Sequence, residues 1–208
     1  MRVLVGCECS GRVRDAFLAR GHNAWSCDLK PAPGSRHLQC DVLDVLGWGW
    51  DLGIFFPDCT YLTCSAEWAY GDGPYHQKVK PETLTGEARR AARREAVAFV
   101  MRLAESGIKR LAIENPRGHL SRAWRRPDQV IQPYEFGDDA SKATCLWLNG
   151  LFPLRPTNPI APRWVDGRPR WGNQTENGQN RLSPAPERAA VRAITYPGIA
   201  TAMAEQWG

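Results

Sequence analysis

Two residues in this sequence have the type and setting to make and break bonds. Cys59 stands in FPDCT, where the apolar run Leu52 to Phe56 meets Pro57 and then presents a single thiol. A thiol held at a strand end and offered to a loop has the placement of a nucleophile. Glu114 stands in AIENPRG, after a second apolar run and before Asn115 and Pro116. A carboxyl there is partly desolvated, which raises its pKa and keeps it protonated. A protonated carboxyl near a thiolate serves as a general acid. Arg117 follows closely, and a cation favours the thiolate form of Cys59. Each residue also has a plainer reading: Cys59 as a half-buried thiol without a role, Glu114 as part of a helix-capping turn. Cys64 is a second thiol close enough to act as a decoy for the nucleophile.

A different constellation opens the chain. VGCECSG reads as a strand-to-helix turn in which Gly6, Ser10 and Gly11 let the backbone approach a ligand. It matches neither the glycine pattern of dinucleotide-binding turns nor the phosphate-binding loop. Asp28 ends the next strand, where a carboxylate accepts from ribose hydroxyls. Asp41 ends the following segment and is placed to accept from an adenine amino group. Singly, these aspartates also read as turn or cap residues. Together with the glycine turn, and without a phosphate cradle, they point to a nucleoside cofactor that lacks phosphates.

The elements that must position these residues alternate. Strands are expected at RVLVG, HNAWSCD, WDLGIFF and KRLAIENP, the last ending at Glu114, with HLQCDVLDVL giving another acidic stop at Asp41 and later strands at QVIQPYEF and KATCLWL. Helices are expected over SGRVRDAFLARG, residues 82–106 and the closing YPGIATAMAEQW, on apolar positions at helical spacing. Residues 69–81 and 149–184 are Gly/Pro-rich without periodicity. Such alternation predicts an α/β fold, a parallel sheet with helices on both faces. Ligands of such sheets bind beyond the carboxyl ends of the strands. Gly6, Asp28, Asp41, Cys59 and Glu114 all fall there, so one crevice can hold them.

Composition narrows the classes. The 208 residues fit one domain spanning 1–208. No run of 18 apolar residues exists to span a membrane, and the MRVLVGCECSGR start is too short and too polar for a signal peptide. The expected location is the cytoplasm. Seven scattered cysteines do not form a disulfide framework, and Cys7 and Cys9 are too close for the usual zinc spacing. The net charge is +5, and between Gly86 and Arg126 eleven Lys or Arg face four Glu. That stretch is either a solvated helix face or a surface for phosphates. Trp68, Trp164 and Trp171, three of nine tryptophans, sit in Gly/Pro-rich loops near basic residues, which suits base stacking.

These motifs come in the order found in cytosine-5 DNA methyltransferases that use S-adenosylmethionine, and the chain resembles most the short forms common in phages and prophages. The glycine turn at 6–11 resembles their first motif, Asp28 and Asp41 their ribose and adenine acids, FPDCT their proline–cysteine motif and IENP their Glu-Asn motif. SKATCLWL and YPGIATAMAEQW resemble the ends of the short chains. The resemblance implies a Rossmann-like methyltransferase sheet and a cofactor pocket of Gly6, Cys7, Glu8, Ser10, Gly11, Asp28 and Asp41, closed by Pro57. It implies Cys59 as nucleophile and Glu114 as acid, with Asn115 and Lys142 orienting the base or its phosphate. DNA, duplex or single-stranded, is the implied partner, with Arg89, Arg90, Arg93, Arg94 and Arg117 as phosphate contacts and Arg163, Arg168, Arg170 and Arg181 as a second group. The sequence departs from the family in four places, one being Ser141–Lys142–Ala143–Thr144 where the later strand is expected to carry an arginine pair. Asp58 replaces the proline directly before the nucleophile. Ser10–Gly11 replaces paired glycines. The span 149–184 stands where long forms carry a full target-recognition domain. These departures leave open a partner that supplies specificity, a free pyrimidine nucleotide or RNA as substrate, or a protein that holds cofactor or DNA without turnover.

Overall fold

A computed structural model describes residues 1–182 and 188–208, so the last two positions of the irregular 149–184 span lie outside the described residues. Seven strands form one sheet in the order β3-β2-β1-β4-β5-β7-β6. They are β1 (Arg2–Gly6), β2 (Asn23–Asp28), β3 (His37–Gln39), β4 (Leu52–Phe55), β5 (Leu111–Pro116), β6 (Gln129–Ile131) and β7 (Thr144–Asn149). The first five pair in parallel, and β7 runs antiparallel to both β5 and β6. The fold is therefore α/β with a mostly parallel sheet, not the wholly parallel one expected. The reversal has a local cause. A parallel pair needs a long crossover, normally a helix. Between β6 and β7 the chain forms only a 3-10 turn, Pro133–Glu135.

Among the described residues six helices accompany the sheet: α1 (Arg12–Ala19), α2 (Val42–Val45), α3 (Gly86–Ala104), α4 (Leu120–Ala123), α5 (Arg188–Ala193) and α6 (Pro197–Trp207). Side chains alternate across each strand, so one strand feeds two cores. Val3 and Val5 of β1 join Leu52, Ile54, α1 (Val13, Phe17) and α6 (Ile199, Met203, Trp207) on one face. Leu4 joins Phe55, Ile113, α2 (Val42, Val45) and α3 (Val100, Leu103) on the other. The central strands are buried on both sides, which is why they read as unbroken apolar runs.

Boundaries shift where backbone geometry demands it. The helix expected over 82–106 spans Gly86–Ala104, because Glu82 takes a left-handed φ of 65° that a helix does not accommodate. The β5 strand runs past Glu114 to Pro116, because β7 pairs Leu146, Cys145 and Thr144 with Glu114, Asn115 and Pro116. The span expected to be irregular contains a hairpin, β8 (Arg163–Val165) and β9 (Arg168–Arg170). Its turn residues Asp166 and Gly167 have φ of 48° and 69°, which matches the two-residue hairpin turn favoured by the right-handed strand twist.

Candidate active site

The topology brings the two reactive residues to one edge. β4 and β5 are adjacent and parallel, and Phe55 pairs with Ile113. Glu114 is the next residue on β5, and Cys59 lies in the loop that leaves β4. The loop is fastened to the strand. Asn115, 1% exposed, donates from Nδ2 to the Pro57 carbonyl at 2.9 Å. The sequence-based role of Asn115 as a base-orienting group becomes, in the structure, a tie between β5 and the segment carrying the thiol. Its Oδ1 is buried without a hydrogen-bond partner among the described residues.

The turn around Cys59 is built by its neighbours. Asp58 Oδ1 accepts from the Thr60 amide (2.9 Å) and hydroxyl (2.7 Å), while the Cys59 carbonyl accepts from the amides of Leu62 and Thr63. Asp58 is thus an Asx-turn residue, a role proline cannot fill. The next residues lean on the chain after β5. The His119 amide donates to the Leu62 carbonyl at 2.7 Å, and Thr63 bridges to Gly118. A Cβ at Gly118 would fall on the Leu62 carbonyl and lie 2.9 Å from Thr63 Cα, so that position admits only glycine without moving the loop.

Burial raises the Cys59 thiol above its ordinary pKa, Asp58 and Glu114 push the same way, and Lys142 opposes them. Burial also raises the Glu114 carboxyl, against the charge of Lys142 and a hydrogen bond with Thr144. The cation set against the thiol is Lys142, not Arg117, whose charge bears on Cys145. Lys142 is held by its own bond from Nζ to the Arg192 carbonyl at 2.7 Å. Together with Glu114 it lines a narrow cleft completed by Phe56, Thr144, Thr195, Tyr196, Ile199 and Met203. Thr144 and Tyr196 lie in motifs visible in the sequence, but their meeting at Glu114 requires the reversed β7 and the return of the chain before α6.

The glycine turn is more occupied than its sequence suggests. The Glu8 carboxylate, 6% exposed, accepts from the amides of Ser10 (2.8 Å) and Gly11 (3.0 Å) and from the Ser10 hydroxyl. The loop amides that would cradle a phosphate already hold an anion from the chain itself. Gly6 meets no ligand requirement either: a Cβ there would lie 2.7 Å from Val42 Cγ2 and against the Phe55 ring. Cys7 takes a left-handed φ of 58°, and its thiol is raised by burial and then by Asp28, Cys27, Asp41 and Asp58. Those charges converge on one sulfur, so the two acids and the nucleophile loop border a common space. Asp28 accepts the Lys30 amide and Asp41 caps α2 through the Leu43 amide, each through Oδ1. The other carboxylate oxygen of each has no hydrogen bond among the described residues.

The basic cluster has a different geometry from a phosphate-facing row. Arg89 is buried with its guanidinium over the rings of Tyr70 (4.7 Å) and Tyr61 (5.4 Å). Arg90 pairs with Glu87 (2.8 Å) and Asp72 (2.9 Å) and donates to the Tyr70 carbonyl. Arg93 stacks on Tyr70 at 3.3 Å, pairs with Glu67 at 2.6 Å and donates to the Tyr61 carbonyl. Three of the four arginines therefore clamp the segment after Cys59 onto α3. Arg94, though paired with Glu87, is 65% exposed. In the second group Arg163, Arg170 and Arg181 donate to backbone carbonyls at 174 and 176, while Arg168 is exposed and makes no bond among the described residues.

No family model matches this chain, and no curated protein matches it. No helix among the described residues is long and apolar enough to cross a membrane, and no cluster of three or more metal-ligating side chains occurs among them.

Proposed function

We propose that this chain transfers a methyl group from S-adenosylmethionine to carbon 5 of cytosine in DNA through a covalent adduct on Cys59. One observation carries the reading: adjacent parallel strands deliver a thiol and a half-buried carboxyl to the same sheet edge, with Asn115 tying the loop that carries the thiol to β5. The five parallel strands support it, because their order 3-2-1-4-5 is that of nucleotide-binding sheets, whose ligands lie beyond the strand ends at the switch between β1 and β4. The cofactor fits the residues present. It offers ribose hydroxyls and an adenine amino group to the free oxygens of Asp28 and Asp41, and it carries no phosphate to compete with Glu8 for the loop amides.

When bound, the cofactor supplies a methyl group on a sulfonium. The protein's own residues do the rest. The Cys59 thiolate adds to carbon 6 of the ring, and the protonated Glu114 donates to ring nitrogen 3, so that carbon 5 becomes the nucleophile. Lys142 favours the thiolate, and Asn115 holds the loop in place. Once carbon 5 carries the methyl group, its proton passes to water, Cys59 leaves as thiolate and nitrogen 3 returns its proton to Glu114, restoring the ring. A base in a duplex must leave the stack to reach this edge.

A second reading, a protein that holds cofactor or DNA without turnover, is favoured by Asp58, whose charge keeps the thiol protonated. The discriminating experiment supplies labelled S-adenosylmethionine with duplex DNA, single-stranded DNA, RNA and free deoxycytidine nucleotides separately. Labelled 5-methylcytosine in DNA, absent with Cys59→Ser, supports the proposal. Cofactor binding with no label in any pool supports the second reading, and label in RNA or free nucleotide alone changes the substrate.

A further inference from the structure

The hairpin β8–β9 presents a tryptophan to solvent by construction. Trp164 pairs with Pro169 on one face of the ribbon, while Arg163 and Arg170 pair on the other. The arginine face is held down: Arg163 donates to the Gln174 carbonyl, and Arg170 donates to the Glu176 carbonyl at 2.8 Å. With that face fixed inward, alternation turns the indole out, and Trp164 is 69% exposed. The indole on this braced two-stranded arm offers a flat π face to a partner, beside the cations of the same arm. At the turn end of the same arm Arg168, paired with Val165, lies on the arginine-bearing face, where its side chain is exposed and makes no hydrogen bond among the described residues.

The arm is rooted beside the candidate site. Trp171, the residue after β9, stacks on Tyr134 with ring centroids 4.1 Å apart, and its Nε1 donates to the Ile160 carbonyl. Asn173 and Ser141 exchange two hydrogen bonds, at 2.9 and 3.0 Å. Ser141 directly precedes Lys142, which lines the cleft with Glu114. The arm thus projects from the segment that delivers Lys142. Over residues 163–181 four arginines face only Asp166 and Glu176, so the surrounding charge suits a polyanion.

We propose that the 163–170 arm is a single-strand DNA contact, with Trp164 stacking on an unpaired base and Arg168 meeting the backbone phosphate. This deepens the proposed function by making the substrate a DNA strand rather than a free nucleotide. Stacking is indifferent to base identity, because every base has a π face. The contact therefore holds a base other than the one that reacts.

The test uses a short fluorescent homothymidine DNA strand, which contains no cytosine, and needs no cofactor, so its outcome is separable from that of the methyl-transfer proposal. Binding is followed by fluorescence anisotropy for the full chain and its variants. Trp164→Ala weakens binding by about tenfold or more, the loss expected for one stacked base. Trp164→Phe recovers most of it, with thermal melting unchanged in both. Arg168→Ala lowers the slope of log affinity against log salt by about 0.7, one phosphate on a single strand. Trp164→Ala that binds like the unsubstituted chain overturns the proposal. So does tighter binding of homouridine RNA, which would make the partner RNA, and so does an equal loss from Trp48→Ala, whose 52% exposed ring lies outside the arm.

Discussion

At the scale of single residues, the account turns on which protonation states coexist. The adding species is the thiolate of Cys59 with the protonated carboxyl of Glu114. Both groups are raised, the carboxyl from its ordinary 4.5 and the thiol from 9.0; where they keep the order of those ordinary values, the thiol titrates at the higher pH. The productive pair is then a minor form. Its population grows with pH until Glu114 begins to ionise, stays level up to the pKa of Cys59, and falls above it. The expected kcat/KM profile is accordingly flat between the raised pKa of Glu114 and that of Cys59, which lies above its ordinary 9.0, with losses on either side. Asp58→Asn keeps the acceptor for Thr60 but removes the charge that raises the thiol. It should raise kcat/KM on the plateau several-fold, one pKa unit being about tenfold in thiolate. Lys142→Met removes a charge that lowers both groups, so it should move both edges of the plateau to higher pH with little change in its height. No change in either variant would remove these charges from the mechanism. The pairing of thiol and acid was legible in FPDCT and IENP. The role of Asp58 as a turn residue was not, because it depends on the direction in which Thr60 turns back. Nor was the cation: Arg117 is nearer in sequence, but the reversed β7 strand brings Lys142 instead.

At the scale of elements, α3 is a clamp on the segment that follows Cys59. Eleven cations between Gly86 and Arg126 suggested a surface for phosphates, yet Arg89, Arg90 and Arg93 spend their charge on Tyr61, Tyr70, Glu67 and Asp72. Composition records charge but not its partners, and those partners lie more than 15 positions away in sequence. Arg93→Ala should raise hydrogen exchange in residues 60–72 and lower kcat while leaving cofactor affinity unchanged. Unchanged exchange would show that the loop is held elsewhere. Arg93 holds the Glu67 carboxyl below its ordinary pKa. A depressed pKa stabilises the fold above the unfolded value and loses that contribution as pH falls, so the clamp should loosen below about pH 4. Gly118→Ala attacks the other anchor, since its Cβ would displace Leu62, and it should cut activity more than it lowers melting temperature. The hairpin was legible and passed over: VDGR carries an Asp-Gly turn between short strands, a stronger local signal than the Gly/Pro content around it.

At the scale of the whole molecule, the sheet serves both faces at once, and its first glycine belongs to packing. Gly6→Ala places a methyl 2.7 Å from Val42 and against Phe55, so it should destabilise the fold by about 1–3 kcal/mol, measured by denaturant unfolding. A wild-type midpoint would mean that Gly6 serves a ligand instead. Strand order was readable as far as alternation of strand and helix reached. It failed at β7, because antiparallel return without a helix leaves no periodic mark. The distribution of charge also sets how DNA should bind. With most of the named arginines engaged internally, the salt dependence should be shallow, a few phosphates rather than nine. The central claim, a covalent bond from Cys59 to the cytosine ring, is tested most directly by DNA containing 5-fluorocytosine. Fluorine at carbon 5 cannot leave as the proton does, so the adduct persists. With cofactor present, mass spectrometry should find the strand attached to the peptide bearing Cys59, and not in Cys59→Ser. No attached strand while methyl transfer proceeds, or attachment at Cys64, would contradict the account.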